Sequence, residues 1–313
     1  MVITNYACIH YFIDEKGMIN GSLFYILDYY LYIYNNVNNN IKFIGISSED
    51  YRNKLFDIIK DKYDVNFNKN NFIWIKHQLN NTSNYDYFRS KILNNTIYKI
   101  INNIIKMKID LALMNAETLY FFKGVVPIKK VLVQGTHFSK FIYKNLNIPN
   151  NCIVFEENNN YIKKLYLDGL RKPNYCDEAT FINLKGLRYA TSVQFKDLIY
   201  PHVCKDKKVY VLVDDNKKYQ YLDNYSNIQK IYNHLPNFFS KFNKYVDATL
   251  NTYDYSPRLI LEAAYLNKEI VYINNGLNDG AFKRYNDIIN GNINKYSISN
   301  EDIIIKYFKK DIE

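Results

Sequence analysis

The sequence predicts an α/β protein built on parallel sheets and divided into two domains. Three observations carry this. Short, apolar, β-prone runs alternate with helix-period segments along most of the chain, the pattern of βαβ units. A chain of 313 residues has room for two domains of about 150 residues each. The stretch from Tyr245 to Asn275 reads as strand, loop, helix, strand with short links, which is the repeating unit of a parallel sheet.

Taken in order, Val2 to Phe12 is an apolar first strand. A polar loop with Gly17, Gly21 and Ser22 follows, and Leu23 to Tyr34 has helical spacing with Ser22 as cap. The loop lacks GxGxxG and GKS/T, so neither a dinucleotide fingerprint nor a P-loop is present. Ile41 to Ile46 is a strand, Ser48 to Tyr63 a helix capped by Ser48, and Phe72 to Ile75 a strand. Ile92 to Met107 is helical and Ile109 to Met114 extended. A short helix spans Glu117 to Gly124, and Val131 to Gln134 is the next strand. Gly135, Thr136 and His137 sit where that strand ends. Strand C-terminal ends are where such sheets bind ligands, so His137 is either a ligand contact or a structural cap. Ile148 to Phe155 closes the first half, Tyr161 to Leu170 reads as a helix, and Lys172 to Asn174 is the linker.

The second half opens with a strand from Ala179 to Leu184, followed by the basic turn of Lys185 and Arg188. Phe195 to Tyr200 is helical, Val209 to Val213 and Ile228 to Tyr232 are strands, and Leu235 to Lys244 reads as a helix with a Phe face. Val246 to Leu250 is β-prone. Ser256 can cap a helix, Pro257 suits its first position, and the apolar face runs through Leu259, Ile260, Ala263, Ala264 and Leu266. Glu269 to Ile273 is a buried strand. Asn278 to Gly280 reads as a turn, Lys283 to Tyr285 as a basic contact, and Ser299 as the cap of a last helix from Glu301 to Lys310.

Composition narrows the class. At 48% hydrophobic and 23% charged residues the chain is globular. The formal charge of +10 favours anionic partners such as nucleotide diphosphates, nucleic acid or membrane headgroups. Asn, Ile, Lys and Tyr rise together, as an AT-rich coding sequence produces, so the basic balance and the 32 Tyr have a compositional reading as well. Cys8, Cys152, Cys176 and Cys204 form no CxxC and read as reduced thiols of a cytoplasmic protein. No apolar run reaches the roughly 20 residues that span a bilayer.

The chemistry concentrates near the helix that starts after Pro257. Arg258 and Glu262 are four apart and share a face. A helix N-terminus suits a phosphate, Arg258 could grip one with its fork, and Glu262 could accept from ribose hydroxyls. The alternative is an ion pair on a solvated helix.

Asp254, Ser256, Arg258 and Glu262, with the apolar run and buried strand after them, resemble the nucleotide-binding segment of GT-B glycosyltransferases. Asp254 and Glu262 match the family's two acidic positions, with Asp in place of the first Glu. The resemblance implies two Rossmann-like domains facing a cleft, residues 1–171 on the acceptor side and 172–313 binding the nucleotide sugar, with the final helix returning to the first. It implies a retaining sugar transfer from a nucleotide sugar to a hydroxyl acceptor, without an essential metal. Lys185 and Arg188 would hold the diphosphate with Arg258 assisting, Glu262 the ribose, Asp254 the donor sugar, and His137 would face the cleft. The acceptor reads as a glycan. A looser similarity to viral DNA glucosyltransferases offers hydroxymethylated pyrimidine in DNA instead. From another class, a non-catalytic nucleotide or nucleic-acid binding module stays open.

Overall fold

The computed structural model describes residues 5–12, 21–76, 95–135, 146–155, 164–184, 199–203, 207–213, 220, 222–231, 237–249, 258–273 and 279–310. The chain forms two compact units. The first comprises Met1–Lys60, Val65–Gly169 and Tyr296–Glu313; the second comprises Asp61–Asp64 and Leu170–Lys295.

In the first unit the strands are β1 (Tyr6–Tyr11), β2 (Lys42–Ser47), β3 (Phe72–Lys76), β4 (Leu111–Asn115), β5 (Lys130–Gln134) and β6 (Cys152–Phe155). They pair in parallel in the order β3-β2-β1-β4-β5-β6. This is the doubly wound Rossmann order, whose direction reverses between β1 and β4. The helices are α1 (Gly21–Asn36), α2 (Arg52–Lys62, whose last two residues belong to the second unit), α3 (Asn95–Lys106) and α4 (Ala116–Phe121). α3 shows why the pattern folds as it does. Ile97, Ile100, Ile101 and Ile104 recur at helical spacing, and all four are buried against Ile9, Ala112 and Val131 on one face of the sheet. Burying each such side chain contributes about 2 kcal/mol.

The opposite face carries α1 and the last helix, α7 (Ile303–Lys310). From Leu23 to Ile33 every residue of α1 is buried, as expected of a helix apolar on all sides. Phe308 meets Tyr6 edge-on at 5.3 Å. Asp302 ties α7 to α1: its Oδ1 accepts from the Ile304 N–H at 2.9 Å, capping α7, and its Oδ2 accepts from the Tyr29 hydroxyl of α1 at 2.9 Å.

The second unit holds β7 (Ala179–Asn183), β8 (Lys208–Leu212), β9 (Ile228–Ile231), β10 (Lys244–Asp247) and β11 (Glu269–Tyr272), all parallel, in the order β11-β10-β7-β8-β9. Renumbered within the unit this is again a Rossmann order, with its reversal between β7 and β10. α5 (Arg258–Tyr265) joins β10 to β11, and α6 (Asp279–Ile289) follows. Among the described residues, no helix is long and apolar enough to cross a membrane.

Six expectations are corrected. Gly21 and Ser22 are the first residues of α1, not loop and cap. α2 starts at Arg52, and the local carboxylate of Asp50, not Ser48, accepts its first N–H at 3.0 Å. The described part of the expected helix to Leu170 is not helical: Leu165 bridges to Ser297 and, after a turn at Asp168 and Gly169, Leu170 bridges to Tyr63. The Phe-rich segment after Leu235 makes only a 3₁₀ turn over Phe238–Ser240, entered through left-handed Asn237 (φ 54°). Its rings gather on Phe181 instead, with Phe242 stacked at 4.9 Å. The expected Asp279–Gly280 turn is the start of α6, which buries Ala281 and Arg284, so Arg284 is no surface contact. Ser299 precedes α7 by several residues, and Asp302 is the cap.

Candidate active site

In a parallel βαβ unit the helix runs back against the strands. The N-terminus of α5 therefore lies at the C-terminal edge of the second sheet, where such folds bind ligands. Arg258 is its first residue and Glu262 lies one turn on. Glu262 is completely buried, because α5 packs Leu259, Ile260, Leu261 and Ala263 around it.

A buried carboxylate requires charge partners, and among the described residues this one meets two. Its Oε1 meets Lys62 Nζ at 2.8 Å and is bonded to Arg258 Nε. Arg258 Nη2 also donates to the Tyr63 hydroxyl at 3.0 Å. Lys62 and Arg258 are themselves largely buried, at 10% and 13% side-chain exposure. Among the described residues, Lys62, Arg258 and Glu262 together carry one formal positive charge at a helix N-terminus, where the first backbone N–H groups lack intrahelical partners and add partial positive charge. Such a group favours an anion, and a guanidinium held by a carboxylate and a phenol is oriented before the anion arrives.

The pair expected from the sequence therefore exists, but not on a solvated face. Glu262 acts as the anchor of two cations, and a ribose hydroxyl would have to share its carboxylate with them. Lys62 and Tyr63 were not candidates from the sequence. Tyr63 is 195 residues from Arg258, and no local pattern marks such a partner. His137, Lys185, Arg188, Asp254 and Ser256 lie outside the described residues.

At the reversal point of the same sheet, Asn183 of β7 and Asp247 of β10 are register partners and both are buried. Tyr245 bridges them: its hydroxyl accepts from Asn183 Nδ2 at 3.1 Å and donates to Asp247 Oδ2 at 2.9 Å. Asp247 Oδ1 accepts from the Thr249 hydroxyl at 2.7 Å and from its N–H at 3.2 Å. This network fixes the end of β10, from which the chain continues towards α5. Among the described residues, no group of three or more His, Cys, Asp or Glu is arranged to hold a metal ion.

No protein-family model and no curated protein sequence matches this chain. Three solved structures to which it is similar are glycosyltransferases. One from Rickettsia africae ESF-5 is 12% identical, over 99% of this chain and 96% of that one, with a TM-score of 0.47. SnogD from Streptomyces nogalater is 6% identical over 78% and 76%, with a TM-score of 0.40. VinC, solved in complex with DTDP, is 8% identical over 98% and 95%, with a TM-score of 0.41.

Proposed function

We propose that the protein is a glycosyltransferase that moves a sugar from a nucleotide-sugar donor to a hydroxyl acceptor on a glycan. The observation that carries this reading is the Arg258–Glu262–Lys62 group at the head of α5. In the reaction the bond from the sugar's anomeric carbon to the diphosphate breaks, and a bond to the acceptor oxygen forms. The leaving diphosphate gains negative charge as that bond breaks. A fixed cation placed there stabilises the transition state more than the ground state. Arg258 takes this role, with Lys185 and Arg188 completing the diphosphate site. Glu262 positions Arg258. Asp254 faces the donor sugar, Ser256 caps the helix beneath the phosphates, and His137 serves the acceptor side. Transfer proceeds with retention and without a resident metal.

The test is thermal shift with UDP, dTDP, GDP, CDP and ADP, followed by affinity measurements on variants. A ligand that binds only the folded protein raises its melting temperature. One diphosphate is expected to give a selective shift. Arg258→Lys keeps the charge but loses the fork, and should weaken that nucleotide about tenfold, equivalent to about 1.4 kcal/mol. Glu262→Gln should weaken it too and also destabilise the fold by about 3 kcal/mol, since two buried cations lose their carboxylate. Folded protein that responds to no nucleoside diphosphate, or an Arg258→Lys variant with unchanged affinity, would overturn the assignment.

A further inference from the structure

The first unit carries a second polar group at its own reversal point, and there the polar atoms are not satisfied by the protein. Cross-strand register aligns one residue from every strand: Trp74, Gly45, His10, Asn115, Gln134 and Phe155. Gly45 pairs with Trp74 and His10, Asn115 with Gln134, and Gln134 with Phe155; His10 and Asn115 lie one step past the Ile9–Met114 pair. Because side chains alternate along a strand, all six share the face opposite Ile9, Met114 and Val133.

His10, Asn115 and Gln134 are each 1% exposed. Among the described residues, His10 Nδ1, Asn115 Nδ2 and both amide atoms of Gln134 have no hydrogen-bond partner. Asn115 is not simply turned the wrong way. Its Oδ1 accepts from the Thr118 N–H at 2.9 Å and from the Thr118 hydroxyl, and that hydroxyl oxygen accepts from the Tyr11 N–H at 3.0 Å. Flipping the amide would set donor against donor, so Nδ2 is committed as a donor. Buried polar atoms are nearly always paired, and three adjacent residues that break the rule at a strand-order reversal form a site waiting for hydrogen bonds.

We infer that His10, Asn115 and Gln134 bind a neutral saccharide ring through its hydroxyl groups, which under the transfer reading is the acceptor. The row offers a committed donor in Asn115, and one donor and one acceptor in the Gln134 amide. A hydroxyl is the group that can answer either kind, because it donates and accepts at one oxygen. Neighbouring strands are about 4.8 Å apart, so three adjacent residues span about 10 Å, the width of one sugar ring with its substituents. Neither carboxylate nor cation stands in the row. Burial also lowers the His10 pKa to about 3, so the imidazole is neutral at physiological pH. A phosphate or other ion would find no counter-charge among these residues. Phe12 and Trp74, with ring centroids 4.9 Å apart, close the apolar end beside His10.

The chain's single tryptophan, Trp74, reports on this row directly. Protein labelled with 5-fluorotryptophan would be titrated with glucose, galactose, N-acetylglucosamine and maltose, and in parallel with 5-hydroxymethyl-2′-deoxycytidine and inorganic phosphate. The expected result is a saturable ¹⁹F shift with at least one neutral saccharide and none with phosphate. Gln134→Leu and His10→Phe, each checked for folding by circular dichroism, should weaken that binding about tenfold or more. The inference is overturned if no saccharide shifts the signal, if the folded variant or variants bind as the parent does, or if only the deoxynucleoside binds. The nucleoside diphosphate shifts separate the two readings. Saccharide binding without nucleotide binding keeps this site and removes the transfer reading; nucleotide binding without saccharide binding does the reverse.

Discussion

Both sheets reverse their strand order once, and the chain treats the two reversal points in opposite ways. Between β7 and β10 the buried polar residues Asn183, Tyr245, Asp247 and Thr249 answer one another, donor to acceptor. Between β1 and β4 the buried His10, Asn115 and, one strand on, Gln134 leave polar atoms without a partner among the described residues. The folds are alike, so topology does not dictate the difference. A network whose members answer one another stabilises its own sheet, and in the second unit the buried ion pairs lie instead at the head of α5. An open row weakens its own sheet and keeps its hydrogen-bonding capacity for something else.

The sharpest way to break this comparison is to open the closed network. Asp247→Ala removes the acceptor of the Tyr245 hydroxyl, the Thr249 hydroxyl and the Thr249 N–H together. Stranding buried donors of this kind should cost about 4 kcal/mol, read as a lowered urea midpoint by far-UV circular dichroism. A loss under about 1 kcal/mol would mean the network is not holding the second sheet.

A second prediction uses pH on the open row. The His10 pKa is lowered to about 3 in the folded protein by burial, while an unfolded histidine titrates near its ordinary value of 6.5. Between these values the unfolded state binds a proton that the folded state refuses. Stability therefore rises with pH across that window, by up to about 1.4 kcal/mol per pH unit, and this contribution is flat above it. His10→Phe should remove that part of the slope when urea unfolding is followed by Trp74 emission from pH 6.5 down to 4.5. An unchanged slope would mean that His10 is protonated or solvated in the fold.

β1, β4 and β7 were the most legible strands, because each is a short apolar run buried along its whole length, and burial on both faces demands that composition. Helices failed where two periods coincide. Phe238, Phe239 and Phe242 fit a helical face, yet they serve equally as a ring cluster on Phe181 beside the entry to β10. The site was half legible. Arg258 and Glu262 announce themselves by spacing, but Lys62 and Tyr63 reach them only through tertiary folding. The open row left a fainter trace. Asn115 and Gln134 each end an apolar run with one polar residue, and His10 interrupts another, which is what the C-terminal edge of a parallel sheet looks like in one dimension. That His10, Asn115 and Gln134 share a row depends on register between strands up to about a hundred residues apart, which no local pattern encodes.

The smallest expected effect separates the two reversal points most cleanly, because it concerns the same kind of substitution on each side. Asn183→Leu removes a donor that Tyr245 uses, and leaves part of a paired network exposed to an apolar neighbour. It should cost about 2 kcal/mol. Gln134→Leu removes an amide that has no partner to lose and puts a side chain of similar volume in a buried position. It should leave stability within about 0.5 kcal/mol of the parent or raise it, since an unpaired buried amide already carries its desolvation cost. Urea midpoints of the two variants, the second followed by Trp74 emission, decide the matter. If Gln134→Leu is as damaging as Asn183→Leu, Gln134 is already engaged in the folded protein, and the contrast between a closed and an open reversal point fails. If it is neutral in stability while saccharide binding falls, the row's hydrogen bonds belong to a ligand and not to the fold.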